Sequence, residues 1–511
     1  MYLTQPLHRN VQQQPDTIAT VFGNRTHTYA ETLSTVSALA GGLRGLGIAA
    51  GDRVAILAVN SDRYLQTILA TAWAGAVIVP MNTRWNAQEM AYAVDDAGVE
   101  VLVVDDAFTR LAGSLARQCP TLATVVHCGE DTTPTTMAPY SALVAESVPI
   151  PDAHRCGDEL AGIFYTGGTT GRAKGVMLSH RNLFASVFGG AVMRGCSVRG
   201  RALHVAPMFH LAGLTAMLSH LALGGTHVIL PGFDPVATIT AIAEHTITDV
   251  LLVPTMIQMT VDHPRIADLD MSSLKFLMYG ASPISEALLQ RARATFPTAK
   301  FVQAYGMTEL SPTATMLLDA DHEDPVRRRS AGQAVPHALI KIVDSQGTEV
   351  PRGEFGEIAV SGEHVMLGYW NNAEETAAAV RDGWMFTGDG GYMDDAGYVY
   401  ISDRIKDMIV SGGENVYSIE VENVVAKHPA VLQCAVIGVP DDTWGERVHA
   451  VVKLEPGASL GLDELQEHSR RAIAGYKVPR SMQVVDAFPM SGAGKILNCE
   501  LRRKVAAATA Q

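Results

Sequence analysis

The sequence predicts an α/β protein: a large multi-subdomain N-terminal domain with two α/β sheet layers and a small β unit, then a small α+β C-terminal domain. Two observations carry that expectation. Short aliphatic runs alternate with helical patterns over 54–104 and again over 202–303, which is the signature of parallel βαβ units. From residue 331 the runs shorten and are separated by Gly-rich turns, as antiparallel strands require. The chain has 511 residues, 47% hydrophobic and 18% charged. At about 150 residues per domain that is roughly three folding units, with ample apolar surface to bury.

In the first stretch VAILAV, AVIVP and VLVV read as strands, with helices over YLQTILATAW and AQEMAYAVDDAG. In the second, ALHV, HVIL, DVLLV, LKFLMYG and KFVQ are strands, with one helix ending near Gly224-Gly225 and another over VATITAIAEH. ALIKIVD, GEIAVSG and GYVYIS form the small β unit, and DSQG, RGEFGE and DDAG are its turns. Beyond Ile405, IEVENVVAKH, LQCAVIGVP, HAVVKLE, LDELQEHSRRAIAG and SMQVVD compose a compact α+β module. The polar segment SDRIKD at 402–407 marks the boundary, giving domains 1–402 and 407–511 joined through 403–406.

The formal charge of −14 argues against a nucleic-acid partner, because phosphate-backbone binding needs a clustered Lys/Arg excess. Six scattered cysteines with no CxxC pair read as reduced thiols and give a cytoplasmic expectation. The N-terminus has no charged and apolar regions of a signal peptide. The longest apolar stretch, Ile68 to Met81, is broken by Gly75 and is too short to span a bilayer. Peripheral membrane contact and a homo-oligomer stay open.

The strongest motif runs from Tyr165 through Thr166, Gly167, Gly168, Thr169, Thr170 and Gly171 to Lys174. Backbone N–H groups, hydroxyls and one cation can wrap phosphate oxyanions. It is not the Walker pattern, because Ala173 and Gly175 flank the lysine. A carboxylate beside such a site, Glu309 after Thr308, suits Mg²⁺, which favours one or two carboxylates plus phosphate oxygens; a capped helix start would look the same. Asp389 can accept two hydroxyls at once, or close an Asx turn in GDGG. Gly280, Ala281 and Ser282 would let a flat ring approach the backbone, as would a plain βα turn. His210, after Pro207-Met-Phe, sits at a strand-to-helix boundary beside apolar residues. Gly45-Leu-Gly47-Ile-Ala-Ala-Gly51 follows a helical stretch rather than a strand, against a dinucleotide fingerprint.

Taken in order, that loop, Pro207–His210, Gly280–Pro283, Tyr305-Gly306-Met-Thr308-Glu309, Thr387–Asp389, Asp403–Asp407, Ser411–Asn415 and Gly494-Lys495 resemble the acyl-adenylate-forming (AMP-binding) superfamily of acyl-CoA synthetases, over nearly the whole chain. The resemblance implies an ATP- and Mg²⁺-dependent ligase that joins a small-molecule carboxylic acid to coenzyme A through an acyl-adenylate. It implies a catalytic set of Lys495, Thr308, Glu309 and His210, with Glu309 on the metal. ATP and AMP would be held by Thr166 to Gly171, Lys174, Gly280 to Ser282, Tyr305, Gly306, Thr308, Asp389 and Arg404, with Tyr305 stacked on the purine. Coenzyme A would pass Ser411, Gly412 and Gly413; Lys406 would be the hinge of a mobile C-terminal domain; His210, Ala212 and Gly213 would line the acyl pocket. Gly167, Ala173 and Leu497-Asn498 depart from the residues common in relatives. Around His210 no Lys or Arg stands ready for a second carboxylate, so an uncharged acyl tail is expected: a medium- or long-chain fatty acid first, an aryl or arylpropenoic acid second. Loading a carrier protein instead of coenzyme A is the remaining alternative.

Overall fold

The computed structural model describes residues 1–166, 173–194, 197–282, 284–404, 408–411, 414–441, 444–490 and 496–509. Its N-terminal part is built on two large sheets. The first has eight strands, ordered Gly368–Tyr369, Lys174–Ser179, Leu160–Thr166, Val77–Pro80, Arg53–Leu57, Val99–Val104, Thr124–His127 and Ala138–Pro139. The second has nine, ordered Gln333–Ala334, Thr315–Leu317, Lys300–Tyr305, Phe276–Gly280, Asp249–Leu251, Arg201–His204, Thr226–Ile229, Ile18–Phe22 and Arg25–Thr28. The central strands of both are parallel.

The unbroken aliphatic runs of these strands follow from burial on both faces. In Arg53–Leu57, Val54 and Ile56 belong to one core and Ala55 and Leu57 to another. The first of those cores also holds Ile229, Val302 and Met316 of the second sheet, together with Leu39, Ile68, Leu214 and Leu218 from helices. Two of those helices are buried nearly all round. In Asp62–Trp73 only Arg63 is half-buried rather than buried, and in Leu211–Ala222 only Ala212. This is where the apolar stretch from Ile68 goes: a 12-residue helix, about 18 Å long, buried in protein. No described helix is long and apolar enough to cross a membrane.

Every strand and helix expected above is present, but the two layers are not sequential. The hairpin Ile18–Phe22 and Arg25–Thr28 joins the second sheet beside Thr226–Ile229, with Thr20 opposite His227. Gly368–Tyr369 closes the first sheet on Val176 and Met177. Such pairings are set by non-local packing and leave no local periodicity. The glycines of 45–51 end helix Tyr29–Gly45, with Gly47 at φ +100, so no dinucleotide fingerprint is formed there.

The small β unit is antiparallel, with Leu339–Val343, Gly356–Ser361, Trp384–Met393 and Val399–Arg404 paired in that order and Val380–Arg381 at one edge. The smaller C-terminal part has its own core of Ile409, Val421, Val436, Val448 and Leu465. There Val431–Asp441 and Gly445–Leu454 form the longest antiparallel pair, accompanied by helices Ser418–Val425, Leu462–Arg470 and Asn498–Thr509.

Candidate active site

Strands of a parallel sheet present their following loops at one edge, and both sheets meet there. Leu160–Thr166 and Lys174–Ser179 form a hairpin in which Thr166 pairs with Lys174. The base of that hairpin is fixed: Tyr165 donates its hydroxyl to Asp96 at 2.5 Å, and Trp370 Nε1 donates to the Asp96 carbonyl at 2.8 Å. Burial, then the Asp96 contact, pushes the Tyr165 phenol far above its ordinary range, so it stays a donor. Lys174 Nζ lies 2.5 Å from Glu375 and 5.0 Å from the centre of the Tyr369 ring. Tyr369 in turn donates to Glu309 Oε1 at 2.9 Å.

Glu309 is in a three-residue 3₁₀ turn, Thr308–Leu310, and is only 6% exposed. It does not cap the turn, because no side-chain cap is formed and the carboxylate points to Tyr369. A buried carboxylate one tyrosine away from an ammonium group has the chemistry to hold a hard cation.

On the neighbouring strands Gly280 lies opposite Ala304, and a Cβ on Gly280 would meet the Ala304 carbonyl at 2.3 Å. Ala281 follows in the left-handed region at φ +66, so the turn into Ser282 is tight and flat. Tyr305, next after Ala304, donates its hydroxyl to Asp389 Oδ2 at 2.8 Å. Asp389 is buried within strand Trp384–Met393, and its backbone is paired with Arg404. Arg404 is the cross-strand neighbour of Asp389. Gly306 adjoins the Pro312 carbonyl so closely that a Cβ would sit 2.0 Å from it.

His210 caps helix Leu211–Ala222, its Nδ1 accepting from the Ala212 N–H at 3.4 Å. Burial depresses its imidazole pKa, leaving a neutral ring whose proton sits on Nε2. Below it a cavity opens between this helix and the second sheet. Ala206, Gly213, Ala216, Met278 and Val302 line its walls, and His220 and Asp249 lie at its far end. Gly213 has no room for a side chain, since a Cβ would meet the Pro207 carbonyl at 2.4 Å.

Gly167, Gly168, Thr169, Thr170, Gly171, Lys406, Gly412, Gly413 and Lys495, as well as the Arg404 side chain, lie outside the described residues. Ser411 is buried where its strand pairs with Glu414 and Gly445. The sequence did not single out Tyr369, Glu375 or Asp96. A Tyr in Gly-Tyr-Trp, a Glu in the first turn of helix Ala373–Ala379 and an Asp late in helix Ala87–Ala97 show no pattern of their own. The pairing of Gly368–Tyr369 with Val176 and Met177 brings Tyr369 and Glu375 to Lys174, and the Tyr165 hydroxyl brings Asp96 to the same hairpin.

This geometry has counterparts among known proteins. The family described as AMP-binding enzyme matches residues 7–370, and the AMP-binding enzyme C-terminal domain matches 420–495. A feruloyl-CoA synthase of an Amycolatopsis species is 40% identical over 504 residues, 97% of either chain. A long-chain-fatty-acid–CoA ligase of Mycobacterium tuberculosis is 34% identical over 483 residues, 94% of this chain and 93% of the other. The crystal structure of ATP-bound MatB from Rhodopseudomonas palustris superposes with a TM-score of 0.89 at 31% identity, covering 99% of each chain. With matches of that extent and a site so arranged, the chain belongs to the AMP-binding enzyme family, as an acyl-CoA synthetase of the acid–thiol ligase class.

Proposed function

We propose that the chain converts an aryl or arylpropenoic acid to its coenzyme A thioester in two half-reactions at one site. The observation that carries the chemistry is the convergence of Lys174, Tyr369 and Glu309 on one side and Tyr305 and Asp389 on the other. In the first half-reaction a carboxylate oxygen of the acid attacks the α-phosphorus of ATP, and the bond to pyrophosphate breaks. Lys174 and the loop that precedes it cradle the phosphates. Asp389, aligned by Tyr305, accepts the ribose hydroxyls, and Gly280 to Ser282 pass flat against the purine. Glu309 would hold the Mg²⁺ that accompanies ATP, which supplies charge neutralisation on the phosphates. The His210 Nε2–H donates to the acid's carboxylate and positions it. No base is needed, because the acid is already ionised at neutral pH. Lys495 stabilises the charge that develops during this transfer, a type of contact typically worth ~10²–10³ in rate.

In the second half-reaction the coenzyme A thiol attacks the acyl carbon and AMP departs with the electron pair. The C-terminal domain turns about Lys406, withdrawing Lys495 and bringing the Ser411 to Gly413 loop into place. The boundary at 402–407 and the separate C-terminal core support this division.

For the acid, the fatty-acid expectation gives way to the aryl one. The 40% identical relative is named for feruloyl-CoA, and the cavity behind His210 ends on polar side chains, an unfavourable terminus for an alkyl tail. A carboxylic-acid panel assayed for pyrophosphate release, with and without coenzyme A, tests the whole proposal. Aryl acids should give coenzyme A-dependent AMP release; turnover of alkyl acids alone overturns the substrate class, and transfer only to a carrier protein overturns the acceptor.

A further inference from the structure

We propose that His8, Asp152 and His154 form a binding site for one divalent transition-metal ion of the zinc type, which pins the N-terminal segment to the stretch of chain leading into strand Leu160–Thr166. The three residues offer two imidazole nitrogens and a carboxylate oxygen, all within 4.8 Å of one another. His8 lies in helix Gln5–Gln13, far in sequence from the other two. Asp152 Oδ2 is the common point: His8 Nε2 is 2.8 Å from it and His154 Nε2 3.8 Å. Tetrahedral zinc with ligands at about 2.0–2.1 Å sets neighbouring ligand atoms about 3.3 Å apart, which falls between these two separations. Small rotations of the imidazoles therefore close the set. The His154 side chain, 58% exposed, is free to make that rotation and leaves a fourth position open to water.

The surroundings hold these groups in place. Thr4 occupies the N-cap of helix Gln5–Gln13 yet makes no capping bond; its hydroxyl donates to Asp152 Oδ2 at 2.5 Å instead. A capping residue diverted from its helix end points to a demand elsewhere. The Asp152 side chain is 2% exposed, and its Oδ1 accepts the His154 N–H at 2.9 Å. His154 itself adopts φ +51, a left-handed backbone that a side-chain-bearing residue keeps only where its surroundings enforce it. His8 stacks on Trp73 with 4.8 Å between ring centres. The same Trp73 fixes the opposite segment, its Nε1 donating to the Ile150 carbonyl at 2.7 Å and its carbonyl accepting from the Ala153 N–H at 2.9 Å. Tyr2 lies against both imidazoles, its ring centre 6.3 Å from His8 and 5.0 Å from His154.

An ion pair accounts for His8 and Asp152 alone. It gives His154 no task, because 3.8 Å is beyond hydrogen-bond reach, and it leaves the left-handed backbone at that residue unexplained. A cation among the three accounts for all of them. On binding, the proton between His8 Nε2 and Asp152 Oδ2 leaves that position and the ion takes its place, while the Thr4 hydroxyl stays on the same oxygen and orients it. The donor set selects the ion: imidazole suits Zn²⁺, Ni²⁺ and Cu²⁺, whereas Mg²⁺ takes oxygen ligands and keeps several waters. The Mg²⁺ that accompanies ATP is thus no competitor, and the site stands apart from the acyl-transfer chemistry proposed above.

The test titrates the full-length chain, free of any affinity tag and stripped of metal, with Zn²⁺ by calorimetry in the presence of excess Mg²⁺. The wild type should take up zinc at this site. Thr4→Val should weaken that binding by about 10- to 100-fold, the usual effect of removing an outer partner of a metal ligand, and His154→Ala by at least as much. Zinc should also shield His8 and His154 together from carbethoxylation by diethyl pyrocarbonate, read by peptide mass. That footprint uses the wild-type chain alone, so it decides the matter even where a substitution disturbs folding. A wild type that takes up no zinc, zinc bound equally well by His154→Ala, or protection confined to other histidines overturns the inference.

Discussion

Tyr369 illustrates what a single hydroxyl does at this site. Its O–H donates to Glu309 Oε1, and its ring lies under the Lys174 ammonium. One side chain thus links the carboxylate to the lysine, whose ammonium also pairs with Glu375. Tyr369→Phe keeps the ring and removes the donor. It should raise the Mg²⁺ concentration needed for half-maximal pyrophosphate release and slow adenylation about 10-fold, the equivalent of one lost hydrogen bond to a charge. Glu309→Gln should cost more, because a carboxamide binds a hard cation less strongly. An unchanged Mg²⁺ dependence in both variants would remove Glu309 from the metal. At Lys495 the expected effect is selective: Lys495→Ala should suppress acyl-adenylate formation far more than thioester formation from supplied acyl-adenylate. Equal losses in the two half-reactions would contradict its role. Residues of this kind were legible in the sequence where a motif keeps them together, as with Lys174 in its loop and Thr308-Glu309. Tyr369 and Glu375 were not, because their chemistry arises from strand pairing and helix packing between distant segments.

Among the elements, the strand Trp384–Met393 departs most from what its composition suggests. Gly388, Gly390 and Gly391 make MFTGDGGYM look like a turn, yet ten residues form one strand. The glycines serve the pairing. Gly388 takes φ +71, the register shifts between Gly390 and Gly391, and a Cβ on Gly391 would meet the Tyr400 carbonyl at 2.2 Å. The irregularity sets where Asp389 faces, opposite Arg404 and within reach of Tyr305. Gly391→Ala should therefore cost about 1–3 kcal/mol through forced displacement of the strand, and should raise KM for ATP by moving Asp389. A thermal melt and an ATP titration check the two halves of this expectation. The regular βαβ segments were read correctly from their periodicity because each is local. This strand was not, because its glycines answer to a neighbour across the sheet.

For the whole molecule, acidity should act through histidines held neutral by burial. Desolvation lowers His180, His337 and His449 to about 4, and His227 and His364 to about 3. His364 is fully buried, with neither ring nitrogen bonded. The folded form therefore binds fewer protons than the unfolded chain between its ordinary imidazole pKa of about 6.5 and pH 4. Stability is fully present above that range and is lost as pH falls through it, by about 1.4 kcal/mol per pH unit for each such group. The melting temperature should be nearly level from pH 8 to 6.5 and then decline steadily. A decline confined to pH below 4 would assign the effect to carboxylates. At the same scale, Lys406→Pro should slow one half-reaction selectively, because a fixed φ suits only one orientation of the C-terminal domain. Single-turnover rates of adenylation and thiolysis would show it, and equal rates with the wild type would place the hinge elsewhere.

The crossed strands of the two large sheets bear on how this chain comes off the ribosome. The hairpin of residues 18–28 has its sheet partner at Thr226–Ile229, and Lys174–Ser179 is flanked by Gly368–Tyr369. A two-stranded hairpin is marginal alone, so the earliest segment emerges long before the strand it docks on has been synthesised. Translation halted between these points leaves bare strand edges that invite association between nascent chains. The first sheet and the second thus mature together, and a split-protein pair or an inserted reporter domain should succeed beyond residue 404, where the interlacing ends, and fail between the sheets.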